Sequence, residues 1–141
     1  MPEFILDHGT PSAARHFNDL DAFTQGYIEA MFFTDASDPD DGDLAHATFA
    51  DLSAEALEQI KSDCTRFNLQ ADAWLHKAYL RGDGSYDMGR AGRDFWFTRN
   101  HHGVGFWDRG LGDVGDKLTE IAHGWRSTDL YRGDDERIYL A

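Results

Sequence analysis

Cysteine is nearly absent from this 141-residue chain. The lone Cys64 excludes an intrachain disulfide and any multi-cysteine zinc site. No apolar run approaches the roughly 20 residues that a membrane-spanning helix requires. The opening Met1-Pro-Glu-Phe has neither a basic region nor an apolar signal-like stretch, so the expected location is the cytoplasm. There are no internal repeats, low-complexity tracts or evident linkers, and the length suits a single domain, expected to span 1–141. Catalytic fingerprints are missing as well. No complete phosphate-binding loop, Gly-x-Ser-x-Gly elbow or His-Glu-x-x-His occurs, so nothing in the sequence points positively to an enzyme, and no cofactor or metal is implied.

Basic residues are scarce in the first half. The formal net charge is -13, and it is distributed unevenly. Residues 1–64 hold fourteen acids against Arg15 and Lys61, whereas residues 65–141 hold twelve acids against eleven bases. Such a field repels duplex nucleic acid and acidic membrane surfaces and attracts basic partners. Asp35, Asp38, Asp40, Asp41 and Asp43, with Pro39 and Gly42, form an acidic loop within 34–50. An EF-hand register fails there: with Gly42 at position 6, Ser37, Pro39 and Thr48 fall where positions 1, 3 and 12 need acidic ligands.

Hydrophobic residues (41%) and aromatics (13%) are plentiful enough for a substantial core. Leu20, Phe23, Tyr27 and Met31 recur at helical spacing and predict a helix over about 19–33. Gly26 inside it marks either a close approach by another segment or a marginal helix. Ser53 suits an N-cap, and Leu57, Ile60, Cys64, Phe67, Ala71, Trp74 and Ala78 continue the spacing. That predicts one long helix to about Leu80, or two broken near Asn68, with Gly82 as the stop and Cys64 in the core. Phe4 to Leu6 reads as a short edge strand, and His8 to Ala14 as a loop. Asp94 to Arg99 and Val104 to Arg109 read as strands flanking a polar Asn100-His101-His102-Gly103 turn. Asp113 is placed to cap a helix with Val114, Leu118, Ile121 and Trp125 on its buried side, and residues 129–140 predict a second hairpin. The expected class is α+β, with helices mainly in the first half and antiparallel hairpins around one inserted helix in the second.

The segment Ala91-Gly-Arg-Asp-Phe-Trp-Phe-Thr-Arg-Asn-His-His-Gly-Val-Gly-Phe-Trp-Asp-Arg109 resembles a motif of small bacteriophage and prophage proteins. The likeness extends from the helix around Tyr27 to the closing Ile138-Tyr-Leu, about three quarters of the chain. Arg93 stands where the family tends to carry His, which weakens any family role for that position. What the resemblance implies is a setting, a mobile element acting inside a bacterium, and not a reaction.

Two functional readings follow. In the first, the protein binds a basic surface of a host protein, such as a nucleic-acid-binding defence complex of the CRISPR or restriction type, through Asp35, Asp38, Asp40, Asp41, Asp43, Asp51, Glu55 and Glu58. An acidic surface mimics the phosphate spacing that a basic channel recognises. In the second, a small enzyme or nucleotide-binding module is built on the 90–109 segment, with Arg90, Arg93, Arg99, His101, His102, Asp108 and Arg109 as ligand-binding residues. Adjacent histidines on an extended chain face opposite ways and make no bidentate metal pair. Asp94, Arg99, Asp108 and Arg109 are also expected to ion-pair across the strands.

Overall fold

A computed structural model of the chain describes residues 6–36 and 42–141. The class is α+β, with six α-helices and one small antiparallel hairpin among the described residues. The helices are α1 (Pro11–Asn18), α2 (Ala22–Asp35), α3 (Ala54–Gln70), α4 (Asp72–Arg81), α5 (Met88–Arg99) and α6 (Asp113–His123), and the strands are β1 (Leu130–Arg132) and β2 (Ile138–Leu140). Helix boundaries follow capping chemistry. Thr10, Asp21, Ser53 and Asp87 each accept a backbone N–H three residues on, closing the starts of α1, α2, α3 and α5. The predicted helix over 19–33 is α2, and the long apolar series divides at Ala71 into α3 and α4, with Gly82 at the stop.

Helices α2 and α5 form the central pair and touch backbone to backbone. A Cβ at Gly26 would lie 2.0 Å from the Gly89 carbonyl oxygen, and one at Gly92 would lie 1.9 Å from the Phe23 carbonyl oxygen. Gly26 is thus a site of close approach, the first of the two alternatives its sequence position left open. Around this crossing the aromatics stack: Phe67 lies on Phe95 at 4.0 Å between centroids and on Phe106 at 5.9 Å, and Trp96 meets Tyr27 edge-on. Cys64 is buried in this core, and burial pushes its thiol pKa up.

Several expectations are corrected. Residues 94–99 are not a strand but the second half of α5, and 104–109 contain a single 3-10 turn at Phe106–Asp108, so there is no hairpin across this motif. The reason is burial. Every residue from Phe95 to Arg99 is inside, so the amphipathic spacing that reveals a helix is erased. The aromatic and β-branched content then imitates a strand. Of the ion pairs expected across the strands, Asp94–Arg109 forms, but from α5 to the residue after the 3-10 turn, while Arg99 pairs with Asp63 instead. The segment 8–14 is not all loop, because α1 starts at Pro11, a residue suited to a first helical turn. Gly112, rather than Asp113, occupies the N-cap of α6. Phe4 and Ile5 of the expected edge strand lie outside the described residues, and Leu6 is in no strand.

The closing hairpin stands as expected, with Leu130 opposite Leu140 and Arg132 opposite Ile138. Ile138 is fully buried, and its carbonyl accepts from Ser53 N–H at 2.9 Å. The end of the described chain is thereby pinned to the start of α3. No helix of the described residues is long and apolar enough to cross a membrane.

Candidate functional site

The 91–109 motif is turned inward. Asp94 is completely buried, accepting from Tyr86 Oη at 2.7 Å and from Arg109 through Nε (3.1 Å) and Nη2 (2.8 Å). Burial raises the Asp94 carboxyl pKa, an effect the Arg109 guanidinium partly offsets. The Thr98 hydroxyl accepts from Phe106 N–H at 3.3 Å, and a Cβ at Gly105 would strike it at 2.4 Å. Asn100 Oδ1 accepts from Thr128 N–H at 2.7 Å, while Trp96 Nε1 donates to Thr34 Oγ1.

Arg99 ties four parts of the chain together. Its Nη1 donates to Asp63 Oδ2 at 2.9 Å and to Tyr27 Oη at 3.0 Å, and its Nε and Nη2 donate to the Arg126 carbonyl. The guanidinium also lies over the rings of Phe95 and Trp125. Breaking one side of such a buried pair costs about 3–5 kcal/mol, because the other charge stays buried. Chemically, then, most polar side chains of the motif are spent on holding the helices together.

The second set of candidate ligand-binding residues therefore separates. Arg90, Arg93 and Arg109 come together around one small cavity, whereas Arg99 faces away from it into the core. His101 stacks on His123 at 4.8 Å, and His102 meets the edge of Phe97. Asp108 is exposed at the end of the 3-10 turn. Among the described residues, no three His, Cys, Asp or Glu side chains gather as a metal site would need.

The acidic set divides as well. Asp38, Asp40 and Asp41 lie outside the described residues. Asp35 accepts from Leu130 N–H at 3.1 Å, and burial is the main cause of its raised carboxyl pKa. Asp51 is taken up by a capping box with Thr48. Asp43, Glu55 and Glu58 are exposed, and Glu58 has Lys61 3.5 Å away.

Glu55 and Glu58 border an open groove of about 620 Å3 between α1, the start of α3 and the closing hairpin. Phe49, Leu52 and Leu57 supply apolar lining, and Asp135, Arg137 and Tyr139 enter from the hairpin. Asp135 is a third acid of this groove that sequence reasoning did not select, since it lies 80 residues from Glu55. The visible signal was the Asp134-Asp135-Glu136 run, which reads as an ordinary polar turn. Tyr139 Oη donates to Asp135 Oδ2 at 2.6 Å, holding that carboxyl below its usual pKa.

Bases from the second half partly neutralise the acidic half. Arg93 pairs with Glu29 at 3.0 Å and Arg99 with Asp63, while Arg132 and Arg137 donate to the carbonyls of Asp43 and Ala50. The chain matches no family model, no curated protein and no solved structure.

Proposed function

We propose that this protein is a non-enzymatic interaction protein that binds a basic surface of another protein through its acidic groove face. The observation carrying this reading is the convergence of Glu55, Glu58 and Asp135 on one exposed apolar-lined groove, with Asp43 exposed on the segment that the neighbouring hairpin contacts. Exposed carboxylates free of buried work can exchange their solvation for a partner's arginines and lysines, steering association and setting register. The apolar lining supplies the area that charge alone does not. In the mobile-element setting that the motif resemblance implies, the target class is a nucleic-acid-binding defence complex inside the bacterium, whose basic channel normally receives phosphates.

The test compares wild type with a variant carrying Asp43→Asn, Glu55→Gln and Glu58→Gln in affinity capture from bacterial lysate. Low and moderate salt are run side by side. A partner held by wild type, released by salt and lost in the variant is the expected result. Equal recovery by both proteins, or recovery of nothing, discards the groove face as the interface.

A further inference from the structure

We infer that the groove running along α3 from Gln59 to Gln70, bordered by Trp125 and Arg126, is a binding site for an extended acidic peptide segment of a partner protein. Gln59, Asp63, Arg66 and Gln70 follow one another at steps of four, three and four residues, so they share a face of α3. Leu69 borders that stripe. Gly124, Trp125 and Arg126 line the groove from the segment after α6, and the buried Arg99 lines it from α5. The groove holds about 750 Å3. Its α3 side is about 16 Å long at 1.5 Å per helical residue, the span of about five residues of extended chain.

Asp63 is the one acid in the lining, and both of its oxygens are engaged. Oδ2 pairs with Arg99 at 2.9 Å, and Oδ1 accepts from Gln59 Nε2 at 2.7 Å. Arg99 spends its charge on that pair and its other bonds on Tyr27 and the Arg126 carbonyl. Arg66 and Arg126 remain. Both are exposed, and among the described residues neither guanidinium forms an ion pair or donates a hydrogen bond. Arg66 lies 5.1 Å from the centre of the Trp125 ring, an attraction that neutralises no charge and gives no N–H donor an acceptor oxygen. Trp125 is itself fixed, donating from Nε1 to Gln70 Oε1 at 3.0 Å, and Arg99 holds the Arg126 backbone through its carbonyl. Both cations are thus anchored before a ligand arrives, which lowers the ordering cost of binding.

The lining selects the ligand. A carboxylate accepts two parallel bonds from a guanidinium fork. Gln70 keeps its side-chain amide N–H donors, since its Oε1 takes the indole, and Gln59 keeps Oε1 as an acceptor, since its Nε2 is given to Asp63. A donor and an acceptor together suit a peptide backbone, which offers both C=O and N–H, whereas a phosphodiester backbone offers acceptors only. Leu69, 76% exposed, supplies an apolar neighbour. Single-stranded nucleic acid would need an aromatic ring for its bases, and a base seeking Trp125 competes with the guanidiniums of Arg66 and Arg99 over that ring. The net charge of -13 also opposes a strand with a phosphate at every nucleotide more than it opposes a short peptide. This groove shares no residue with the acidic one, so either reading can fail without the other.

The test follows the Trp125 indole N–H and the arginine Nε–Hε resonances of the full chain by NMR, at ionic strength held constant with sodium chloride. The probe is the capped peptide Glu-Glu-Leu-Glu-Glu, and its Gln-Gln-Leu-Gln-Gln counterpart and hexathymidylate are titrated in separate arms. Saturable shifts at Arg66, Trp125 and Arg126 with one shared Kd, and none at Arg15 on α1, are expected with the acidic peptide. Arg66→Gln and Arg126→Gln should each weaken binding about tenfold, their folds checked by the backbone spectrum, while Arg15→Gln leaves it unchanged. Absence of saturation by the acidic peptide, equal affinity for its Gln counterpart, tighter binding of hexathymidylate, or undiminished binding in both groove variants overturns the inference.

Discussion

Tyr139 and Asp135 show how one hydrogen bond at the groove couples two titrations. Accepting from the phenol stabilises the Asp135 carboxylate, while the same carboxylate opposes ionisation of the phenol, whose pKa is pushed up to about 12. Replacing Asp135 by Asn should return Tyr139 toward its ordinary value of 10.0, measured by pH titration of its ring resonances. The sign for stability follows by linkage. Because the folded phenol pKa is raised, its stabilising contribution is complete below about pH 10 and disappears as pH climbs through 12. Because the folded carboxyl pKa is lowered, its contribution is present above the ordinary 3.8 and disappears as pH falls through the depressed value. Denaturant unfolding of wild type and Asp135→Asn should differ by a constant amount between these limits and converge outside them. A difference independent of pH would contradict the coupling. At this scale the sequence was partly legible. Cys64 is in the core as its spacing indicates, yet nothing local reveals that Arg99 points inward to Asp63, a residue 36 positions away.

Helix α5 is the element most easily misread. Its neighbour α2 carries a recognisable stripe through Phe23, Tyr27 and Met31, so its pattern exposes it. Helix α5 instead gathers its buried aromatics into the unbroken run Phe95-Trp-Phe-Thr, which imitates a strand, although Asp87 and the glycines at 89 and 92 were cues to a capped, closely packed helix. Those glycines reverse an ordinary substitution rule. Gly→Ala inside a helix normally gains up to about 1 kcal/mol. Gly92→Ala would instead press a methyl carbon to 1.9 Å from the Phe23 carbonyl oxygen, which neither backbone can accommodate without moving. The helices must separate, and overpacking of this kind costs about 1–3 kcal/mol or more. Thermal unfolding should therefore show Gly92→Ala destabilised. An unchanged or raised Tm would mean that the helix crossing has room for a methyl group. The closing hairpin and the α3–α4 pair were readable because caps and turn residues bound each of them.

Across the whole molecule, charge is what the linear sequence misrepresents most. Read along the chain, the first half is nearly devoid of bases; in the fold, Arg93, Arg99, Arg132 and Arg137 come back to it. Glu55 and Glu58 were visible as candidates, but their association with Asp135 exists only once the hairpin docks on α3. The excess of acids still makes the compact state repel itself. Sodium chloride at about 0.1 M, where the screening length is roughly 10 Å, should therefore raise Tm by about 3–5 °C over a salt-free buffer. Calorimetry decides this: a flat or falling Tm would show that local pairing outweighs the net charge. The buried Arg99–Asp63 pair should contribute little to the response, because salt does not reach it.

The late arrival of these partners has a consequence for synthesis. A ribosome adds roughly 5–20 residues per second, so on the order of 5–20 s separate the emergence of α2 from that of Ile138. Until Arg99 completes α5, more than halfway through that interval, the apolar side of α2 lacks the helix that will cover it, and the first half waits until the end of the interval for Arg132 and Arg137. The mutual repulsion of its acids then acts as a temporary spacer, keeping the nascent chain extended and its sticky side away from neighbours until translation delivers the bases that let it close.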